Sequence, residues 1–206
     1  FDSDMQLTHE RIPEKTRGKV AIIGSGPAGL TVAGDLARQG FHVTIFEGQP
    51  EAGGVLMYGI PEYRLPKAVV RNEIKKIEDL GVHFVRNCLV GTPESGVTVD
   101  SLFAEGFDAI FMGTGTALPQ NLSIPGSDLR RVTQSTDFLH NVNAYVEGAL
   151  PMEMVPLRKG DKVAVIGGGN VAMDAARTAR RLGADVTVIY RRTQAEMPAI
   201  QSEYED

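Results

Sequence analysis

The stretch Lys19-Val-Ala-Ile-Ile23, followed at once by Gly24-Ser-Gly-Pro-Ala-Gly29, decides the fold of this chain. The first is a short apolar run rich in β-branched residues, which predicts a strand, and the second predicts a tight turn. Helical spacing then covers residues 30–39 and stops at Gly40, and residues 42–47 form another apolar run. This order predicts a βαβ unit with parallel strands and a right-handed crossover.

The same order of elements returns far downstream. An apolar run at residues 162–166 leads into the glycine-rich turn 167–172, a helix to about Leu182, and a further apolar run at 185–190. Two copies of one loop arise by chance far less often than one copy. The pair predicts an α/β fold of tandem Rossmann-type, three-layer dinucleotide-binding domains.

The two units set the predicted domain limits. Residues 1–17 are polar and aperiodic and are expected to be a tail or linker, and residues 18–146 are expected to form the first domain. Residues 147–160 are expected to be a linker, and residues 161–206 the start of a truncated second domain. Because a single βαβ unit leaves a sheet edge uncovered, the truncated domain is also expected to self-associate.

The chain between the two units supplies further predicted elements. The pattern predicts helices over residues 67–80 and 136–145, short strands at 83–85 and 89–90, and a buried strand at 108–112.

The first glycine turn has the pattern of a phosphate-binding loop. A helix N-terminus offers unpaired N–H groups and the positive end of the helix dipole to a diphosphate. Gly24, Gly26 and Gly29 allow the sharp turn, the close approach of phosphate and the packing of the helix on the strand. Glu47, at the end of the second run, is expected to accept hydrogen bonds from ribose hydroxyls. The alternative is a strand-to-helix turn with no ligand.

The second glycine turn predicts a site for NADPH. Gly167, Gly169 and Ala172 form the Gly-x-Gly-x-x-Ala variant of the loop. An NAD site usually carries an acidic residue after the next strand, whereas this chain has Arg191 and Arg192 there. Guanidinium groups can clamp a 2′-phosphate that a carboxylate would repel, so NADPH is expected over NADH. The alternative is a solvated arginine pair.

Several runs of the first half resemble the glutamate synthase small-subunit family. They are the first glycine turn, Glu47, the doublet Gly53-Gly54, the run Gly59-Ile-Pro-Glu-Tyr-Arg-Leu-Pro-Lys67 and the strand end Gly113-Thr-Gly-Thr116. The group is similar to the NADPH- and FAD-binding module of dihydropyrimidine dehydrogenase. The resemblance implies FAD at the first loop, with the glycine doublet and residues 113–115 beside it.

The resemblance also carries expectations for single residues and for a partner. Arg64 and Lys67 either meet phosphate or flavin oxygen or are solvated loop charges. The run Glu196-Met-Pro198 matches the family, without a role for it or for Glu203. Family members pass flavin electrons to iron–sulfur clusters, and such a domain or subunit is expected outside this chain.

The residues expected to contact FAD are Gly24, Gly26, Pro27, Ala28, Gly29, Glu47, Gly48, Gly53, Gly54, Val55, Leu56, Arg64, Val90, Gly113, Thr114 and Gly115. Those expected to contact NADPH are Gly167, Gly169, Asn170, Val171, Ala172, Arg191 and Arg192.

Composition narrows the possible functions. The formal net charge of −5 and the scattered basic residues argue against a nucleic-acid surface. Cys88 is the single cysteine, so an internal disulfide is excluded, and the four histidines lack metal-ligand spacing, so no metal site is expected. Neither a signal peptide nor a membrane-spanning run is recognisable, so a cytoplasmic location is expected.

These patterns together predict a flavoprotein oxidoreductase in which NADPH gives hydride to FAD. The two cofactors carry that chemistry, and no catalytic side chain is expected. Two other functions remain open. One is a related NAD(P)H transhydrogenase or sulfide-linked oxidoreductase, and the other is a non-catalytic dinucleotide-binding module.

Overall fold

The computed structural model describes residues 14–92, 94–116 and 122–203. The greater part of the predicted tail, residues 1–13, lies outside these ranges. Packing divides the described residues into two compact units. Unit 1 comprises Phe1–Met57 and Leu65–Ala117, and unit 2 comprises Tyr58–Arg64 and Leu118–Asp206.

Unit 1 is built on a parallel four-stranded sheet. Its strands are β1 (Lys19–Ile23), β2 (His42–Phe46), β3 (His83–Val85) and β4 (Ala109–Met112), in the order β3-β2-β1-β4. In the register, Ile23 of β1 lies beside Phe46 of β2 and Met112 of β4. The carboxyl ends of three neighbouring strands therefore meet at one edge, which is where ligands bind in folds of this class.

Within residues 14–92 and 94–116 the structure has four α-helices: α1 (Pro27–Arg38), α2 (Val55–Tyr58), α3 (Lys67–Asp79) and α4 (Val99–Ala104). Helix α1 buries Leu30, Ala33 and Ala37 at helical spacing. It ends before Gly40 and α3 ends before Gly81, and both glycines have positive φ angles of 88° and 83°. The two predicted helix ends are thus confirmed, since glycine adopts this conformation without steric cost.

One hydrophobic cluster of unit 1 lies near the strand ends. It contains Ala21, Ile23, Phe46, Cys88, Leu102 and Phe107, with Val90 packed against it. Cys88 is buried, and burial raises the pKa of its thiol. This thiol is therefore a core group rather than a reactive one.

Unit 2 contains the second βαβ repeat. Strands β5 (Lys162–Ile166) and β6 (Asp185–Ile189) pair in parallel and are joined by α6 (Asn170–Arg181). Helix α5 (Ser135–Val146) packs on α6. The core between them is made largely of alanines on α6 and of larger side chains on α5, including Phe138, Leu139 and Val142.

The predicted fold class is confirmed, and the differences are local. The strand expected at residues 89–90 is wrong, because these residues lie in a coil and turn where the Gly91 N–H donates to the Val97 carbonyl at 2.7 Å. Helix α4 and the one-turn helix α2 were not predicted.

Helix α5 lies in unit 2, although its sequence was assigned to the first domain. In the expected linker, Val155 and Leu157 are buried in the unit 2 core. None of the helices in the described ranges has the length and apolar content required to span a membrane.

Candidate functional site

The first glycine turn places the start of α1 at the carboxyl end of the sheet. The Gly24 N–H donates to the Phe46 carbonyl at 2.8 Å, which ties the turn to the end of β2. Gly26 is the N-cap residue, and Pro27 and Ala28 begin the helix on the exposed surface. Because Gly26 has no side chain to cap the helix, the first amides of α1 are left to an external acceptor.

The three glycines of this turn have different surroundings. A Cβ on Gly24 would lie 2.5 Å from the Gly113 carbonyl oxygen, and one on Gly29 would lie 2.0 Å from the Gly24 oxygen. Both positions are closed by the protein's own backbone. A Cβ on Gly26 would meet nothing within 4 Å, so this glycine faces open space beside the helix start.

The Glu47 carboxylate is joined to the turn by a buried hydrogen-bond network. Its Oε2 accepts from the Ser25 N–H at 3.0 Å and from the Ser25 hydroxyl, and its Oε1 accepts from the Gln49 N–H at 2.8 Å. Glu47 is 6% exposed. A carboxylate has about four acceptor positions, so acceptor capacity for a ribose hydroxyl is left on Oε1. Sequence reasoning missed the second role of Glu47, which is to hold the turn.

The glycine doublet lies directly against the phosphate loop. The Gly53 N–H donates to the Ser25 hydroxyl oxygen at 2.9 Å, and a Cβ on Gly54 would lie 2.9 Å from the Gly26 Cα. Gly53 and Gly54 have φ angles of 126° and 53°, a region that other residues rarely adopt. Val55 and Leu56 follow in α2, where Val55 is 55% exposed.

The remaining expected FAD contacts of unit 1 lie at varying positions around this edge, whereas Arg64, the other expected contact, lies in unit 2. The Gly113 N–H donates to the Ile23 carbonyl at 2.8 Å, beside the loop, and the next residues, Thr114 and Gly115, are exposed. Gly48 is exposed, next to the Leu89 side chain, whereas Val90 packs on the core. The structure therefore brings the glycines and Glu47 together, with Gly48 and Val90 at the margin.

The two basic residues of the Gly59–Lys67 run are not solvated loop charges. Arg64 belongs to unit 2, where its guanidinium pairs with the carboxylates of Asp174 and Glu203. These carboxylates raise the pKa of the Arg64 guanidinium, with the Glu203 hydrogen bond as the largest cause. Lys67 is 1% exposed and donates to the Leu56 carbonyl at 2.9 Å.

The second glycine turn repeats the geometry of the first. The Gly167 N–H donates to the Ile189 carbonyl at 2.9 Å, and Gly169 is the N-cap of α6. Asn170 and Val171 are exposed at the helix start, whereas Ala172 is buried beside Gly167. A Cβ on Gly168 would lie 2.7 Å from the Tyr190 ring, so the middle glycine is needed for packing.

The segment after β6 folds back onto this turn. The Ala199 N–H donates to the Gly168 carbonyl at 3.0 Å, and the Ile200 N–H donates to the Asn170 side-chain oxygen at 3.3 Å. The Glu196 carboxylate accepts from the Thr193 N–H at 3.1 Å and hydroxyl at 3.0 Å, which closes a capping box. Glu196 therefore shapes the segment, and Glu203 pairs with Arg64.

The arginines near the second turn have overlapping surroundings. Arg191 and Arg192 are exposed after β6, and Arg192 lines a cavity of about 450 Å³ together with Arg177 and Arg180. Arg177 also lies over the Tyr63 ring, as does Arg181, with their guanidinium groups 5.1 and 4.0 Å from the ring centre. The sequence pattern did not indicate these ring contacts, because only the fold brings Tyr63 to the helix arginines.

No group of three or more His, Cys, Asp or Glu side chains is placed to hold a metal ion within residues 14–92, 94–116 and 122–203. Each unit has its own candidate site, a helix start that is open to an anion.

Comparison with known proteins gives consistent matches. The model of the pyridine nucleotide-disulphide oxidoreductase family matches residues 18–206. Subunit beta of the NADP(+)-dependent formate dehydrogenase of Moorella thermoacetica is 45% identical over 191 residues, which are 91% of this chain and 25% of that protein. The small chain of the NADPH glutamate synthase of Halomonas elongata is 41% identical over 191 residues, which are 91% of this chain and 39% of that protein.

The chain is also similar in structure to a protein of known structure. A variant of FprA from Mycobacterium tuberculosis matches with a TM-score of 0.73 and 26% identity, over 91% of this chain and 46% of that chain. The chain thus spans less than half the length of each of these three proteins.

Proposed function

The chain belongs to the pyridine nucleotide-disulphide oxidoreductase family, and we propose that it is the part of a flavoprotein that binds FAD and NADPH for hydride transfer between them. Its resemblance to the glutamate synthase small-subunit family is confirmed by the similarity to such a small chain. The observation that carries the proposal is the pair of glycine turns, each presenting a helix start with an open N-cap glycine.

FAD is assigned to the first turn. Its diphosphate would lie over Gly26 and accept from the amides at the start of α1, and Glu47 would accept from a ribose hydroxyl. Gly53 and Gly54 would line the path of the cofactor next to Gly26, and Gly113 to Gly115 would border it at the end of β4. The open space at Gly26 and the remaining acceptor position on Glu47 support this assignment.

NADPH is assigned to the second turn. Its diphosphate would lie over Gly169 and the exposed start of α6, with Arg191 and Arg192 pairing with the 2′-phosphate. Arg191 and Arg192 are exposed after β6, where the sequence places no carboxylate until Glu196, and the Glu196 carboxylate is engaged by Thr193. This arrangement favours a phosphorylated ribose over a free 2′-hydroxyl.

The nicotinamide and the flavin supply the hydride chemistry when both are bound, and the chain positions them. With Cys88 as its single cysteine, the chain has no cysteine pair that could take electrons as an internal dithiol. The electrons are therefore assigned to an acceptor elsewhere, for which an iron–sulfur domain or subunit is the proposed partner. The names of the two relatives, a subunit beta and a small chain, support an assembly with partner subunits.

The proposal is tested by anaerobic titration of the full-length protein with NADPH and with NADH while the flavin absorbance is followed. NADPH should bleach the flavin at lower concentration than NADH. The double variant Arg191→Ala, Arg192→Ala should raise the NADPH concentration needed to reduce the flavin by about tenfold or more, because two charge-assisted contacts are lost. The NADH concentration needed should not change.

Arg130→Ala is the matched control, since Arg130 is also an exposed arginine of unit 2. A colourless full-length protein that binds a single nucleotide would exclude the enzyme and favour a dinucleotide-binding module without catalysis. Tighter or faster reduction by NADH would refute the role of the arginine pair.

A further inference from the structure

Lys67 is a buried ammonium group for which the two nucleotide loops provide no explanation. It is the first residue of α3, directly after the N-cap Pro66, and 1% of it is exposed. Burial of a positive charge is costly, and the positive end of a helix dipole makes this position more costly still. The ammonium group donates to the Leu56 carbonyl at 2.9 Å and thereby joins α3 to the turn that contains Leu56.

The Leu56 carbonyl belongs to a short turn that begins at the glycine doublet. The Leu56 N–H donates to the Gly53 carbonyl and the Met57 N–H donates to the Gly54 carbonyl, both at 3.1 Å. Lys67 therefore holds the far side of a turn whose first residues are the doublet. One helical turn beyond Lys67, a Val70 methyl lies 3.2 Å from the position of a Cβ on Gly53, so α3 also supports the doublet by packing.

The doublet in turn fixes the phosphate loop. Gly54 lies against the backbone of Gly26, and the Gly53 N–H donates to the Ser25 hydroxyl at 2.9 Å. The Ser25 hydroxyl donates onward to Glu47. A continuous series of contacts thus leads from the Lys67 ammonium group through the Leu56 carbonyl to the glycine doublet. From the doublet it continues to Gly26 and to the Glu47 carboxylate.

We propose that Lys67 is a positioning residue of the FAD site, which holds the glycine doublet in the conformation that keeps Gly26 open and Glu47 oriented. This inference rests on the assignment of FAD to the first loop. Lys67 acts through the Leu56 carbonyl and the doublet, so its loss should weaken cofactor binding and leave the reacting atoms unaffected once the site is filled.

The test compares variants of the full-length protein, stripped of FAD and titrated with FAD by flavin fluorescence. Lys67→Met should raise the FAD dissociation constant by about tenfold or more, since a charged hydrogen bond to the turn is lost. Lys67→Gln, which keeps a neutral donor, should fall between Lys67→Met and the wild type, and Lys67→Arg should recover part of the affinity. At saturating FAD, the rate constant for reduction of the flavin by NADPH under anaerobic conditions should stay within about twofold of the wild type, as the reacting groups are unchanged.

Lys75→Met is the matched control, because Lys75 lies on the same helix with a 66% exposed side chain. It should bind FAD as the wild type does. If Lys67→Met does not fold, the Lys67→Gln and Lys67→Arg variants decide the question. A wild type that binds no FAD would refute the proposed function itself. If the wild type binds FAD and both Lys67→Gln and Lys67→Met bind FAD as tightly as the wild type does, the role of Lys67 alone is refuted.

Discussion

At the residue scale, the glycines of the first turn show what a motif contains and what it leaves out. Gly24, Gly26 and Gly29 are the three glycines of one motif. Backbone atoms leave no room for a Cβ on Gly24 or Gly29, whereas a Cβ on Gly26 would enter open space. The pattern could be recognised in the sequence because the backbone geometry of the turn favours glycine at each of these positions. Which reason applies to which glycine depends on distant residues such as Gly113, and therefore required the fold.

Two substitutions separate these reasons. Gly29→Ala should destabilise the apoprotein by at least about 2 kcal/mol, because its Cβ would lie 2.0 Å from the Gly24 carbonyl oxygen. Gly26→Ala should cost less than about 1 kcal/mol, because its Cβ enters open space at an N-cap position. Gly26→Ala should nevertheless weaken FAD binding strongly, since the methyl group would enter the open space proposed for the diphosphate.

Urea unfolding of the apoprotein and FAD titration measure the two effects. Equal stability losses for the two variants would contradict the distinct surroundings of these glycines. Undiminished FAD affinity in Gly26→Ala would contradict the assignment of the diphosphate.

At the element scale, the sequence predicted best where the pattern is local. The strands, α1, α3, α5 and α6 follow from hydrophobic spacing and from glycine stops, because those signals lie within each element. Helix α4 was missed because it has six residues, too few for a periodic signal. Its capping box, made by Thr98 and Ser101, was the available sign. The expected strand at residues 89–90 failed because two apolar residues also suit a core-facing turn.

The segment Tyr58–Arg64 could not be placed from sequence at all. Its flanking helices belong to unit 1, whereas its own contacts are made in unit 2. The Asn143 side chain donates to the carbonyls of Tyr58 and Ile60 at 2.8 and 3.2 Å, and Tyr58 stacks on His140 with ring centres 4.7 Å apart. Burial lowers the pKa of His140, which favours the neutral form of this stacked ring.

Arg64 is the residue on which the placement of this segment most depends. Arg64→Met should destabilise unit 2 by about 3 kcal/mol, because the largely buried carboxylates of Asp174 and Glu203 would lose their cationic partner. Arg71→Met is the control, since the Arg71–Glu51 pair has side chains 44% and 46% exposed and should contribute less than about 1 kcal/mol. Thermal unfolding of the full-length proteins gives both values. Similar losses for the two variants would show that the Arg64 pairs are no stronger than an ordinary surface ion pair.

At the scale of the whole molecule, the duplicated βαβ unit is the feature on which the proposed function depends. Each copy ends its first strand in a glycine turn whose N–H bonds to the end of the next strand, at Gly24 in unit 1 and at Gly167 in unit 2. The copies differ after the second strand, where one has Glu47 and the other Arg191 and Arg192. Similar turns with opposite charges beside them support the proposal that the two units bind dinucleotides that differ at the ribose.

Two such sites should respond separately to substitution. Gly26→Val should abolish FAD binding while the affinity for 2′,5′-ADP, a probe of the second site, stays within about twofold, as the change lies in the other unit. Gly169→Val should do the reverse, because a Cβ on Gly169 meets only a Pro198 ring atom at 4.0 Å and its branched side chain would then occupy the phosphate position. Isothermal titration of both variants with both ligands gives the four affinities. If either substitution removed both affinities while the variant remained folded, a single shared site would replace the two that the repeat implies.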